Sequence, residues 1–491
     1  MTDYERKQTW DRPSDALALP HVVKTIAMCL DNQKDFSSFL HAVPRSLWTP
    51  ALSAFLDCRT TTPPSVRANW PHIRLRDMDL SPSVLALLAV TLPLRPRIEI
   101  KCPIRDAAQL ASLVAVLGPA LRSVRLHFLG HFVVDRQVHA ISSLLLQRCP
   151  RLHQVSIRVG TYRATEVAEL NGLLVVVAHP HVHDLSLSLF SLQRATTVPR
   201  LGHLLASWLS TAPATKLRLV CDAAMDDDAM MAFCDALQAN TTLQKLTIGH
   251  VPSLNGFHGR TLPVSLKRLK WNVDSNEVVD AATLTDLATA VGATQLERLE
   301  CNVFGSLATC PAAAPMLSQL QSLTVHKLGI GTMEALIAGL SSVPALTSLD
   351  LRNCDLSTSV EQLLVTLATT CMHLETLRVS NQQLTHDGAT AVLSGVLQLP
   401  RLTTLSLCTR LLDALHVLPE LVAAGRHLRL LSLMAIGREN YKMEKRAIYQ
   451  ALAQTPDVPF VVDMLPEDMD GSVVDALRRS ADRSSRCWLS L

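Results

Sequence analysis

Residues 346–356 read Leu346-Thr-Ser-Leu349-Asp-Leu351-Arg-Asn-Cys354-Asp-Leu356. Leu349 and Leu351 stand two apart, so in an extended chain they point to one side, and Leu346, Cys354 and Leu356 continue that side. Ser348, Asp350 and Arg352 point away from it. A stretch this short with one apolar face cannot bury that face by itself. It predicts neighbouring copies.

The copies are present. Trp70-x-x-Ile73-x-Leu75-x-x-Met78-x-Leu80 repeats the spacing. The residue equivalent to Leu349 recurs at Ile73, Ile98, Val124, Val155, Leu185, Leu217, Leu246, Leu269, Leu299, Leu323, Leu377, Leu405 and Leu431. That makes fourteen repeats 23 to 32 residues apart, of which those at Ile98 and Leu269 are the least regular. Such lengths leave room for a helix in each repeat, and apolar periodicity marks helices over 226–239, 333–340, 359–369 and 385–397. The spacing L-x-x-L-x-L-x-x-N/C-x-L resembles the leucine-rich repeat family, in particular the long-repeat members typified by ribonuclease inhibitor and the Ran GTPase-activating proteins, over about residues 70–440. The resemblance implies an α/β leucine-rich repeat solenoid, a horseshoe whose strands line a concave face, with a small helical module at the N-terminus.

Composition agrees with stacked aliphatic ladders: 48% of the 491 residues are hydrophobic and only 4% aromatic. A net charge of +3 argues against nonspecific nucleic-acid binding by the chain as a whole. The start of the chain lacks the apolar core of a signal peptide, and its most apolar run, 84–94, is too short to span a bilayer. The twelve cysteines form no C-x-x-C pair, and Cys301 and Cys354 fall on inward positions where a reduced thiol packs as a small apolar group. These features lead us to expect a protein of the cytoplasm or nucleus, away from membranes. Asn240-Thr-Thr is a formal glycosylation sequon and reads as a helix-to-strand turn.

Before the repeats, residues 1–16 are polar and aperiodic, a disordered lead-in. Leu19-Pro20, Val23, Ile26 and Leu30 then follow helical spacing, and Asp35-Phe36 with Phe39 opens a second short helix that Asp35 is placed to cap. This stretch resembles an F-box, which begins Leu-Pro, continues with apolar residues three and four apart, and opens its next helix with an acidic residue. His21, where an acidic residue is frequent, and the absence of a clear Cys-x-x-Trp ending near Trp48 depart from the pattern. The resemblance implies that Leu19, Pro20, Val23, Ile26, Leu30, Phe36 and Phe39 bind the adaptor of a cullin-type ubiquitin ligase. The alternative is a helical cap shielding the first repeat. Residues 17–57 form this module, 58–69 a Thr/Pro-rich connector, 70–457 the repeats, and 458–491 a C-terminal cap and tail with a strand at Val458, Phe460 and Val462, a helix over 472–481 and a fraying end.

On each strand three positions face away from the apolar side. Of these 42 positions Lys or Arg takes fourteen and Asp or Glu four (Glu99, Asp184, Glu300 and Asp350). Twelve of the cations lie at or before Arg298: Arg74, Arg76, Arg97, Lys101, Arg125, Arg158, Lys216, Arg218, Lys245, Arg268, Lys270 and Arg298. Arg352 and Arg378 complete the set. Rows about 5 Å apart lie within a Debye length, so their potentials add and favour an acidic or phosphorylated protein partner. Few aromatics interleave with the cations, which disfavours single-stranded RNA. The bland alternative is that exposed strand positions tolerate long charged side chains.

No constellation for catalysis, cofactor or metal stands out. His179-Pro-His181-Val-His183 lacks an acidic or Cys companion, Asp226-Asp227-Asp228 suits a helix N-terminus, and Gly329-Ile-Gly331-Thr lacks the Lys of a phosphate loop. The expectation is a non-enzymatic binding protein, first a ligase substrate-recognition subunit, with an interaction scaffold or inhibitor and then a GTPase-activating regulator as alternatives.

Overall fold

The computed structural model describes residues 19–104, 106–129, 135–162, 167–191, 198, 200–222, 225–249, 251, 254, 256–273, 279–327, 330–356, 359–380, 386–409, 428–435 and 461–463. The lead-in over 1–16, the helix expected over 472–481 and the terminal residues lie outside these. The chain forms two units, 1–240 with 251–253, and 241–250 with 254–491.

The first unit opens with helices α1 (Pro20–Cys29), α2 (Gln33–Ala42) and α3 (Pro50–Thr60). A hairpin follows, β1 (Val66–Asn69) and β2 (His72–Leu75), and then α4 (Pro82–Thr91), β3 (Arg97–Ile100), α5 (Ala107–Leu117), β4 (Leu121–Leu129) and α6 (Asp135–Arg148). It closes with β5 (Gln154–Tyr162), α7 (Val167–Leu174), β6 (Asp184–Ser191), α8 (Leu201–Thr211), β7 (Lys216–Cys221) and α9 (Asp227–Ala239). β1 and β2 are antiparallel, and β2 to β7 pair in chain order, each parallel to the next.

The second unit runs β8 (Lys245–Gly249), β9 (Arg268–Asn272), α10 (Ala281–Gly292), β10 (Arg298–Cys301), α11 (Phe304–Ala308), α12 (Ala314–Leu317), β11 (Ser322–His326) and α13 (Ile330–Gly339). It continues with β12 (Ser348–Arg352), α14 (Val360–Thr370), β13 (Thr376–Ser380), α15 (His386–Gly395), β14 (Thr404–Thr409), β15 (Leu430–Ala435) and β16 (Val461–Asp463). These strands also pair in parallel and in chain order.

Each unit is therefore a stack of strand-and-helix repeats, and all fourteen expected strand centres fall on strands. Register follows the repeat: Leu349 pairs with Leu323 and Leu377, and Leu269, from a sequence of irregular spacing, pairs in step with Leu246 and Leu299. Ile98 does not pair with Val124. It opposes Leu121, because β4 carries an extra residue there.

Inward positions such as Leu349, Leu351, Cys301 and Cys354 are buried. Polar side chains near the helix ends stitch one repeat to the previous one: His179 Nε2 donates to the Cys149 carbonyl at 3.1 Å and Asn240 Nδ2 to that of Leu209 at 2.8 Å. Asn240 thus stands at the C-terminal end of α9 as a buried turn residue.

Three local expectations change. Val66–Asn69 is a strand, so the connector is shorter than its Thr/Pro composition suggests; β1 is an outer strand whose Val66 and Ala68 face inward. Asn32, not Asp35, caps α2, its side chain accepting from the Asp35 backbone N–H at 2.9 Å. Among the described residues no helix joins β8 to β9, the shortest repeat. A loop there is held by Asp286, whose carboxylate accepts from the Phe257 and Gly259 backbone N–H groups, while Gly256 and Gly259 supply φ of 96° and 74°.

Candidate functional site

Strand alternation places the candidate cations on the face opposite the buried leucines, and register decides which of them meet. In the second unit Lys245, Arg268 and Arg298 are partners on three adjacent strands, all exposed. In the next row Lys270 lies beside Glu300, which also takes a hydrogen bond from His326 Nε2 at 2.7 Å. Burial alone would raise the Glu300 carboxyl. The hydrogen bonds and charges of His326 and Lys270 outweigh it and hold the group at about 2.

In the first unit Glu99 is shared by His72 at 2.9 Å, Arg74 at 3.3 Å and Lys101 at 3.0 Å. Ser123 Oγ donates to Gln154 at 3.1 Å, Gln154 Nε2 to Asp184 at 3.2 Å, and Lys216 Nζ to the same Asp184 oxygen at 3.1 Å. Asp350 is held by Arg352 at 2.6 Å. Each of the four carboxylates on the face is therefore engaged.

Of the twelve candidate cations Arg74, Lys101, Lys216 and Lys270 are paired in this way. Among the described residues Arg76, Arg97, Arg125, Arg158, Arg218, Lys245, Arg268 and Arg298 reach no carboxylate, and all are exposed. Arg158 lies over the Phe190 ring, 6.0 Å from its centroid. Sequence reading missed Arg67, which β1 sets opposite Arg74, since nothing in a Thr/Pro-rich stretch signals a strand.

The N-terminal candidates separate by depth. Leu19 is 45% exposed and Pro20 is exposed, Ile26, Leu30 and Phe39 are half-buried, and Val23 and Phe36 are buried completely. Phe36 stacks on Trp70 at 4.4 Å and meets Phe55 edge-on at 5.6 Å. Trp70 also donates from Nε1 to the Leu30 carbonyl and from its backbone to Gln33 Oε1, both at 2.6 Å. Val23 and Phe36 thus pack inside the module, while Leu19, Pro20 and part of Ile26 stay accessible.

Other chemistry is sparse. Burial pushes the Cys301 and Cys149 thiols up to about 12 and Cys58 up to about 11, against thiolate formation. Among the described residues no group of three or more His, Cys, Asp or Glu is placed to hold a metal ion. Asp226 caps α9, its side chain accepting from the Ala229 N–H at 2.7 Å. Among the described residues no helix is long and apolar enough to cross a membrane.

No protein-family model matches the chain, and no curated protein matches it. Among solved structures it is similar to a chain of the yeast Rad7 and Elc1 complex, with 14% identity, a TM-score of 0.37, and coverage of 68% of this chain and 85% of that one.

Proposed function

We propose that the chain is a non-enzymatic protein-binding protein that takes an acidic or phosphorylated partner on the exposed face of its strand repeats. The observation that carries this reading is the uneven pairing of charge: the four carboxylates of the face are all engaged, and among the described residues eight of the twelve cations reach none. Lys245, Arg268 and Arg298 form the tightest such row, since adjacent strands hold them about 4.8 Å apart, inside the Debye length of about 8 Å. Side chains held on a parallel ladder need little ordering when a partner arrives. The test is the triple variant Lys245→Glu, Arg268→Glu, Arg298→Glu. It should keep the melting temperature, since all three side chains are exposed, and should fail to capture the partners that the unaltered chain takes from cell extract. Equal capture by both chains removes this face as the binding surface.

The F-box resemblance extends the reading to a substrate-recognition subunit of a cullin-type ubiquitin ligase. The exposure of Leu19 and Pro20 at the start of α1 favours it, because an apolar side chain left in water suits a docking surface. Leu19→Ala with Ile26→Ala should abolish capture of an adaptor and cullin while sparing partners of the strand face. Capture of neither by the unaltered chain leaves an interaction scaffold.

A further inference from the structure

Between β3 and β4 the register slips. Ile98 opposes Leu121 and Glu99 opposes Ser123, which makes Arg122 the extra residue of a bulge, the device by which a strand re-aims one side chain. The His153 N–H donates to the Arg122 carbonyl at 2.9 Å and the His183 N–H to that of His153 at 3.0 Å, so these residues are neighbours along the edge where β4, β5 and β6 begin. The His153 and His183 rings stack at 5.1 Å, and His153 Nδ1 donates to the His181 carbonyl at 3.3 Å.

Burial lowers the Arg122 guanidinium from its ordinary range, and the charges of Arg97 and Arg151 lower it further. The backbone sets the three at one edge: Arg97 precedes Ile98, which opposes Leu121, and Arg151 lies two residues before His153, whose N–H reaches the Arg122 carbonyl; among the described residues none of the three has a carboxylate partner. The acids of the neighbouring rows are held by other partners, Glu99 by His72, Arg74 and Lys101, and Asp184 through Oδ2 by Lys216 and Gln154.

We propose that this edge is a phosphoryl-binding site, in which Arg122, flanked by Arg97 and Arg151 and backed by His153, takes the phosphate of a phosphorylated Ser or Thr side chain on a partner protein. Several guanidinium groups suit a dianion with three acceptor oxygens better than a single carboxylate, because each offers paired N–H donors. His153 adds a proton-linked contact. Burial lowers its pKa in the free chain, the His181 carbonyl acts in the opposite sense, and Arg122, His183 and His181 add to the lowering. With Nδ1 committed to that carbonyl, protonation of His153 makes Nε2 a further donor, and a bound dianion favours that state. Asp184 and the buried His179 are the other titratable groups nearby. That the phosphate belongs to a protein rests on the protein-binding reading above; the open cations Arg125 and Arg158 on β4 and β5 would meet the residues flanking it.

The test titrates the full chain with a fluorescent degenerate phosphoserine peptide pool, its unphosphorylated counterpart and inorganic phosphate. Arg122→Gln, Arg151→Gln, Lys267→Gln and the second-unit triple variant are measured beside it, with thermal melts to confirm folding. The phosphorylated pool should bind, and Arg122→Gln and Arg151→Gln should each weaken it about tenfold, the loss expected for one charge-assisted contact. Lys267→Gln, which removes an exposed cation already paired with Glu297 and outside both surfaces, should leave it unchanged. Binding near pH 6.5 should take up protons, read by calorimetry in buffers of different ionisation heat, and His153→Gln should reduce the uptake. Equal affinity for phosphorylated and unphosphorylated peptides, or full affinity in both Arg variants, overturns the site. Inorganic phosphate binding without phosphopeptide binding overturns the protein source. If the triple variant loses a partner while the chain ignores phosphoserine, this site falls and the protein-binding reading stands.

Discussion

Glu300 shows how one acid on a basic face becomes part of the fold. Its carboxyl is held at about 2 in the folded chain, below the ordinary value of 4.5, so its contribution to stability is present above about pH 4.5 and is lost as pH falls toward 2. Glu300→Gln should cost about 1 kcal/mol at pH 7, a figure discounted for the part of the pair open to solvent, and the difference should fade toward pH 2.5. Urea unfolding midpoints of the two chains at both pH values would check this; a gap that persists in acid would mean the side chain acts through packing. The sequence identifies Glu300 as an outward acid of the strand but does not show that Lys270 and His326 both reach it. That depends on the register of β9, β10 and β11.

At the scale of elements, Trp70 ties the N-terminal helices to the first strands. It fills the first apolar position of its repeat, stacks on Phe36 of α2 and meets Phe55 of α3 edge-on at 5.1 Å. Trp70→Ala should destabilise by about 3–5 kcal/mol, as a large side chain leaves a packed aromatic cluster and the Leu30 carbonyl loses its indole donor. Residues 20–60 should then become the first site of limited proteolysis; cleavage elsewhere first would mean the helices hold without it. On α9 the cap is more modest. Asp226→Ala removes the acceptor for the Ala229 N–H and should cost about 1 kcal/mol, seen as a lower melting temperature. The acidic run at the start of α9 is legible in sequence because a cap is local, although locality alone does not distinguish Asn32 from Asp35 at α2. The stack of Phe36 on Trp70 joins residues 34 positions apart and is not legible in that way.

At the scale of the whole molecule, each unit is a series of strands that pair with their chain neighbours inside it, so damage in one repeat should spread by nearest-neighbour coupling within its unit. Leu349→Ala, at a completely buried position, should cost about 2–5 kcal/mol, and β11 to β13 should lose hydrogen-exchange protection before β8 and β9. Uniform loss across the second unit would argue for a more cooperative body. The repeats themselves were readable because a two-residue alternation recurring every 23 to 32 residues has one economical explanation, a ladder of strands with their apolar sides together. That pattern placed all fourteen strand centres and the outward cations without any distance being known. It could not show β1, which hides in a stretch of turn-forming composition, nor that among the described residues no helix joins β8 to β9. Nor could it reveal the bulge at Arg122, because a single extra residue changes pairing while leaving the apolar spacing almost intact. Above all, alternation states which side chains face out, while pairing across strands decides which charges neutralise one another. The four occupied carboxylates and the open row Lys245, Arg268 and Arg298 are consequences of register, a long-range property settled only when the repeats stack.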